Sequence, residues 1–292
     1  MSLIAFWGAV ELGLVYAFVA LGVFLAFRVL DFPDLTVDGS FPLGAAVTTV
    51  LIIAGVNPWL AACVAMVAGA AAGIVTAMLN VRFKILNLLA SILTMIALFS
   101  VNLRVMGKPN VALINADTML SPFYGLGLRD FYVRPLFIGV LVVVAVIIVW
   151  RFLESDAGLA MRATGANARM ARAQGVDTNR QIYLGMAISN ALVAFGGALF
   201  AQTNGFADVT SGVGTIVVGL AAVIIGETLL GARGILIALI GCVLGSILYR
   251  IAIQLALSTD MLGLQASDLN FVTAALVTFA LVLPRLRRGG AA

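Results

Sequence analysis

Nine runs of apolar residues divide this 292-residue chain, most of them close to the length that crosses a bilayer. A transmembrane helix needs about 20 mostly apolar residues to span the hydrocarbon core. The runs are Leu3–Phe27, Phe41–Ala54, Pro58–Met78, Ile85–Val105, Pro135–Trp150, Ile182–Ala201, Val213–Leu230, Ile235–Leu257 and Leu269–Leu283. Only 10% of the residues are charged, against about 25% in a soluble domain. We therefore predict an all-α, multi-pass membrane protein that forms a single domain over residues 1–292.

The basic residues predict how these spans are oriented. Nine spans place twelve of the 17 Lys and Arg residues on one side and five on the other. Cytoplasmic loops carry an excess of such residues, so the larger group predicts the cytoplasmic side, with the amino terminus outside. The larger group is Arg28, Arg82, Lys84, Arg151, Arg162, Arg169, Arg172, Arg180, Arg233, Arg285, Arg287 and Arg288.

The longest polar stretch on that side is Ala157–Arg180, within a cytoplasmic segment that we place at residues 154–180. Its central part, Ala166–Gln174, has small and helix-favouring residues. Asn167 is placed to cap the start of a helix there, and Gly175 to end it. A short helix closed at both ends, between two membrane spans, predicts a docking surface for another protein.

Arg169 and Arg172 are three residues apart, so we expect them on one face of this short helix. Such a face suits acidic or carbonyl groups of a partner. Met170 and Ala171 are expected to add apolar contact.

Another polar stretch, Asp31–Ser40, interrupts two apolar runs, and the second of these is short for a full span. One interpretation is a break in the helix that lines a transport path, with Asp34, Thr36, Asp38 and Gly39 as its polar groups. Irregular backbone at membrane depth is tolerated only inside protein or beside water. The other interpretation is a cytoplasmic turn in which Asp38 or Ser40 caps the next helix.

The chain contains an internal repeat. Ala17–Thr36 aligns without gaps on Ala191–Thr210, with 8 identities in 20 positions. Both copies end in Phe-x-Asp-x-Thr, and in the second copy this motif contains Asp208 and Thr210. Because the two preceding spans are predicted to run in opposite directions, we expect inverted repeats, with the segment Gly205–Gly212 as the counterpart of the first break.

Small residues at GxxxG spacing let membrane helices approach closely. Gly69 with Gly73, and Gly241 with Gly245, have this spacing. Packing within the chain is the more common use of such pairs, and dimerisation is the alternative.

Several function classes are excluded or disfavoured by missing chemistry. The chain has no phosphate-binding loop of the G-x-x-x-x-G-K-[ST] type and no histidine, so no ATP site of that kind is expected. We also predict no metal site, no catalytic constellation and no cofactor in this chain. The net charge of +4 reflects basic loops rather than a nucleic-acid surface.

Three segments resemble one family. Gly158–Asn167, continuing to Gly175 and Val176, is similar to the cytoplasmic coupling segment of ATP-binding cassette importer permeases for branched-chain amino acids and simple sugars. Gly73–Met95 is similar to a second signature of these permeases. Phe27–Val47 resembles a subgroup of amino-acid permeases that includes ones assigned to tryptophan or tyrosine uptake.

The resemblance implies a type II importer permease in a bacterial inner membrane. Two permease copies, which the resemblance implies are identical, would flank one path through the lipid. Each would present its coupling helix to a cytoplasmic ATPase subunit that holds ATP and Mg, while an extracytoplasmic binding protein delivers an amino acid or a derivative. The docking residues would be Gly165, Asn167, Arg169, Met170, Arg172 and Gly175. Some family members have an additional amino-terminal span that this sequence does not show.

Two other classes remain open. A self-sufficient channel or secondary transporter would have similar inverted repeats, but it needs an ionisable coupling site at mid-depth, which the apolar runs do not indicate. A membrane-embedded enzyme would need a catalytic constellation.

The missing phosphate loop predicts that the purified chain alone hydrolyses no ATP. The measurement is ATP turnover by the chain in detergent, with a mock purification as the control for contaminants. Turnover that follows this chain through purification contradicts the prediction.

Overall fold

The computed structural model of the chain describes residues 3–114, 116–123, 130–231 and 234–257, together with 275 and 278. Ten α-helices make up most of this part. They are α1 (Leu3–Val23), α2 (Val37–Ile53), α3 (Pro58–Val81), α4 (Asn87–Met106), α5 (Asp130–Glu154), α6 (Asp156–Ala166), α7 (Ala168–Ala173), α8 (Thr178–Asn204), α9 (Thr215–Leu230) and α10 (Ile235–Leu257).

Short irregular elements join some of these helices. A π-helical turn, Phe24–Val29, continues α1, and 3-10 turns occur at Ser121–Phe123 and Val209–Gly212. Strands β1 (Asn110–Ala112) and β2 (Phe206–Asp208) form an antiparallel pair in which Val111 lies opposite Ala207.

Seven helical segments of the described chain are long and apolar enough to cross a membrane, and α2 is a shorter apolar helix. The prediction of an all-α, multi-pass membrane protein is therefore confirmed. Eight of the nine predicted runs coincide with α1–α5 and α8–α10. The ninth, Leu269–Leu283, lies outside the described residues except for positions 275 and 278.

Helices α1 and α8 pack antiparallel in the centre of the fold. A Cβ on Gly22 of α1 would lie 2.6 Å from the Ser189 carbonyl oxygen, and Gly196 of α8 lies against Phe18. The Ser189 hydroxyl donates to the Gly22 carbonyl at 2.7 Å. These two helices carry the two copies of the repeat, so their opposite directions agree with the predicted inversion.

The two copies of Phe-x-Asp-x-Thr also form the same turn. The amide of Thr36 donates to Asp34 Oδ1 at 2.9 Å, and the amide of Thr210 donates to Asp208 Oδ1 at 2.7 Å. Each turn follows one of the antiparallel helices and precedes a short one. Local geometry thus supports the repeat independently of the Ala, Val and Leu identities, which apolar membrane segments share by chance.

The GxxxG pairs are used within the chain. Gly73 of α3 lies so close to α8 that a Cβ on it would be 2.1 Å from the Met186 carbonyl oxygen. Gly245 of α10 is similarly close to Ala222 of α9, at 2.0 Å from the carbonyl oxygen. Both contacts are with backbone, which cannot rotate away as a flexible side chain can.

Gly73→Ala should therefore destabilise the fold. Its added methyl meets the backbone of α8, and overpacking of this kind costs about 1–3 kcal/mol. Gly8→Ala is the matched control, because nothing lies within 4 Å of a Cβ there and alanine favours helix over glycine. The melting temperature of the protein in detergent should fall for Gly73→Ala alone. Equal melting temperatures for the two variants contradict the close contact.

Candidate functional site

The polar segment between α5 and α8 folds into two helices. The Ser155 hydroxyl caps α6, accepting from the Gly158 amide at 3.4 Å. Asn167 caps α7: its Oδ1 accepts from the amides of Arg169 at 3.1 Å and Met170 at 3.0 Å. Gly175 ends the turn after α7 with φ +86°. The predicted cap and end residues are confirmed, while the helix itself is shorter than Ala166–Gln174.

Helix α7 turns a basic and apolar face outward. Arg169, Met170 and Arg172 are exposed, and Met170 keeps 64% of its surface accessible. Ala171 is instead buried, with 3% exposed. The expectation that Ala171 adds apolar contact with a partner was wrong, because this residue anchors α7 to its own chain.

Gly165 has a different place from the other predicted docking residues. A Cβ on it would lie 2.0 Å from the Val29 carbonyl oxygen and 3.0 Å from the carbonyl carbon of Leu30. The close approach brings α6 onto the π-helical turn that ends α1. Gly165 thus joins α6 to the membrane-spanning helices. It does not contribute to the outward face of α7.

That π-helical turn leads into the first predicted break, Asp31–Ser40, whose non-helical part ends at Thr36. Asp34 is fully buried there, and its carboxylate accepts from Asn190 Nδ2 at 2.8 Å as well as from Thr36 N. The Ser40 hydroxyl donates to Asn190 Oδ1 at 2.7 Å. Asn190 of α8 therefore clamps both sides of the break with its single amide group.

Thr36 completes this anchorage on another helix. Its hydroxyl lies 2.7 Å from that of Thr76 on α3, and both residues are buried. Asp34 and Thr36 thus bond to their own chain in this structure. Their place on the path remains a prediction.

Asp38 caps a helix, but a different one from the helix that the sequence suggested. One of its oxygens accepts from the Ile216 amide at 2.7 Å and the other from the Gly214 amide at 3.2 Å. These amides belong to the start of α9, where a carboxylate also interacts favourably with the helix dipole. The first turns of α2 and α9 therefore meet, although 176 residues separate Asp38 from Gly214.

A pocket of about 340 Å³ opens beside this junction, between α2, α4 and the Val209–Gly212 turn. Asp38 and Gly39 line it from the first predicted break, and Val209 lines it from the second. Pro42, Met95, Ile96, Phe99, Ser100, Asn102 and Val213 form the rest of its wall. The structure therefore brings the two breaks together at one concave surface.

Asp208 and Thr210 lie near the opposite end of α8 from α7. Besides the Thr210 amide, Asp208 accepts from Asn110 Nδ2 at 3.1 Å, which ties the second break to β1. Partial burial raises the pKa of this carboxyl, but the hydrogen bonds from Thr210 and Asn110 outweigh it and hold the pKa below its usual value. Asp208 is therefore a structural anion of the strand pair.

Asn190 and Thr76 were not singled out by the sequence analysis as site residues. Each is a polar residue within an otherwise apolar run, where side chains of this kind bond across helices. That signal identifies residues that need a partner, but it does not tell which partner. Only the fold shows that both bond to the same break.

Comparison with known proteins gives one family. Residues 8–283 match the model of the branched-chain amino acid transport system / permease component family. The tyrosine transport system permease protein of Clostridioides difficile (strain R20291) is 36% identical over 265 residues, covering 90% of this chain and 86% of the relative. An uncharacterized protein of Rickettsia prowazekii (strain Madrid E) is 34% identical over 253 residues, covering 85% and 88%.

A solved structure, PsaBC from Streptococcus pneumoniae in complex with Fab, is similar in fold. Its TM-score is 0.52 at 17% identity, and the match covers 94% of this chain and 89% of that chain. At that identity the likeness concerns the fold alone.

The cap across helices predicts a local effect of Asp38→Ala. Removing a cap costs about 1–2 kcal/mol, so the amides of 214–216 should exchange with deuterium roughly tenfold faster. Asp177→Ala is the matched control, because Asp177 caps α8 by accepting from Asn179 and Arg180. Its effect should stay at residues 179–180. Unchanged exchange at 214–216 in Asp38→Ala contradicts the cap.

Proposed function

The chain belongs to the family of branched-chain amino acid transport system permease components, and from that premise we propose that it is the path-forming subunit of an ATP-driven amino-acid importer. Membership makes it a multi-pass transport permease of the ATP-binding cassette class. The import direction, the solute and the assembly go further and are the content of the proposal. In it, residues 154–180 form the cytoplasmic coupling segment of one inner-membrane domain.

The observation that carries the proposal is the outward face of α7. Three long side chains, Arg169, Met170 and Arg172, are exposed on a helix of six residues. The helix is fixed at its start by Asn167 and on its inner face by Ala171. A movement of the docked ATPase subunit would therefore displace the helix as a rigid unit. A cytoplasmic ATPase subunit with ATP and Mg would receive this face in a cleft, with Met170 as the apolar contact.

A continuous set of contacts joins this face to the pocket. Gly165 seats α6 on Val29 at the end of α1. The first break, Asp31–Ser40, follows directly and is clamped by Asn190. Within this break, Asp38 holds the start of α9. A displacement of the coupling segment would therefore reach α2 and α9 through backbone contacts and short hydrogen bonds.

A second copy of the chain would complete the path. The pocket opens at the face of α4, where Ile96 and Phe99 are more than half exposed. In a two-fold assembly these faces of two copies would enclose one channel, with lipid around the other faces. A binding protein would deliver the solute at the end that holds β1 and β2, opposite α7.

The amino-acid solute is supported by the family and by the name of one relative, a tyrosine transport system permease protein. The binding protein would set most of the specificity. The permease would pass a solute small enough for the pocket between the two breaks.

One observation favours the second candidate, a secondary transporter. Asp34 is fully buried at the level of the break, whereas the sequence did not indicate an ionisable group at mid-depth. Yet both carboxylate oxygens accept hydrogen bonds from the chain's own donors. Such a carboxylate is better suited to holding the break than to cycling a proton or an ion, so we favour the ATP-driven importer.

Reversing the charge of α7 should test the docking. With Arg169→Glu and Arg172→Glu together, the ATPase subunit should no longer co-purify with the permease, and ATP-driven amino-acid uptake into vesicles should fall more than tenfold. Both substituted positions are exposed, so the fold itself should tolerate them.

Arg82→Glu and Arg151→Glu together form the matched control. Both residues are exposed at the same end of the bundle but lie outside α7. This pair should retain assembly and most of the uptake. Full assembly and uptake in the α7 pair would refute the docking surface.

A further inference from the structure

We infer that the pocket between α2, α4 and the Val209–Gly212 turn receives an ammonium group of the transported solute, with Asn102 Oδ1 as its hydrogen-bond acceptor. The inference rests on the proposed function and narrows it. The solute would carry an ammonium group next to an apolar body.

Within the described part of the chain, the side-chain amide of Asn102 has a hydrogen-bond partner for its nitrogen but not for its oxygen. Its Nδ2 donates to the Gly39 carbonyl at 3.1 Å. A carbonyl can only accept, so this bond fixes which side of the amide is the oxygen. The residue is fully buried, and Oδ1 has no hydrogen-bond partner among the residues that the structure describes. A buried acceptor without a donor is costly, and this one belongs to a residue of the pocket wall.

Asn190 shows what a purely structural asparagine looks like in this fold. Its Nδ2 donates to Asp34 and its Oδ1 accepts from Ser40, so both ends of the amide are used. Asn102 has the same burial but only one bond. Within the described part of the chain, this difference leaves Asn102 Oδ1 available for a donor that enters the pocket.

The charge of the pocket selects the kind of donor. Asp38 is the single charged residue among the described residues that line it. The two α9 amides leave its carboxylate with further capacity to accept. A cation is therefore attracted to this wall and an isolated anion is repelled. An ammonium group has three donors, enough for Asn102 and Asp38 together.

The remaining wall suits an apolar body. Met95, Ile96, Phe99 and Val213 supply it, and Phe99 and Val213 are 51% and 75% exposed. A volume of about 340 Å³ lies at the small end of the roughly 300–1,000 Å³ range of ligand sites. Polar groups on one wall and exposed apolar side chains on another match an amino acid with an apolar or aromatic side chain.

Protection of an engineered cysteine tests this inference in the permease–ATPase complex. Ser100 lines the pocket and is exposed, so Ser100→Cys would be labelled by a maleimide, in a Cys63→Ala background because Cys63 is exposed. The probes are L-tyrosine, tyramine and 3-(4-hydroxyphenyl)propionate. We expect the two amines to slow labelling several-fold and the deaminated acid to leave it unchanged.

Variants of Asn102 separate contact from structure. Asn102→Leu should raise the amine concentration needed for protection about tenfold, the loss expected for a hydrogen bond to a charged group. Asn102→Asp keeps an acceptor but loses the donor to Gly39, so it should retain protection. Thr49→Val is the control, because it removes another buried oxygen without a bonding partner that lies outside the pocket.

Three results overturn the inference: no protection by either amine, equal protection by the acid, or protection unchanged in Asn102→Leu. Loss of protection in Asn102→Asp as well would show a structural role and also overturn it. ATP-driven uptake distinguishes these failures from failure of the proposed function. If the unmodified complex takes up the amino acid and Asn102→Leu takes it up equally well, the proposed importer is retained. Only the ammonium contact is then refuted.

Discussion

The rest of the structure depends on one constraint, that polar groups inside a membrane must be bonded within the protein. The two predicted breaks follow α1 and α8, and each leaves backbone groups without helical hydrogen bonds. Carboxylates repair both: Asp34 and Asp208 accept from their own turns, and Asp38 bonds the amides at the start of α9. Where the breaks lie therefore decides where the acidic residues must be.

The same constraint explains why the glycines lie where they do. Polar clamps work only if the helices that carry them approach closely. Gly73 removes the side chain that would separate α3 from α8 next to Met186. Thr76, three residues further along α3, then reaches Thr36. Small residues and polar hydrogen bonds therefore act together. The small residues set the distance between the helices, and the hydrogen bonds set how far one helix is shifted along the other.

Much of the fold was predictable because apolar length and charge bias are strong signals in a membrane protein. The capped helix at Asn167 and the repeat ending in Thr210 were also visible in the sequence. What the sequence did not show were the partners. One of the two interpretations of Asp31–Ser40 had Asp38 or Ser40 capping the helix that follows, but Asp38 caps α9, 176 residues away. Ala171 was expected outside, yet a helix of six residues needs an inner anchor.

The meeting of α2 and α9 bears on how such a fold can alternate between two openings. Helix α2 has 17 residues and is shorter than a full span, whereas α9 has 16 residues and reaches 22 only together with the 3-10 turn before it. One carboxylate joins their first turns. Two hydrogen bonds to a charged group are worth only a few kcal/mol, far less than the packing of a full-length helix pair. In the proposed importer, displacement of the coupling segment would need to break only this small, local contact to separate α2 from α9. The Asp38 contact, which joins the helices that follow the two repeat copies, is thus suited to a gate, whereas the Asp34–Asn190 clamp is suited to the fixed part around it.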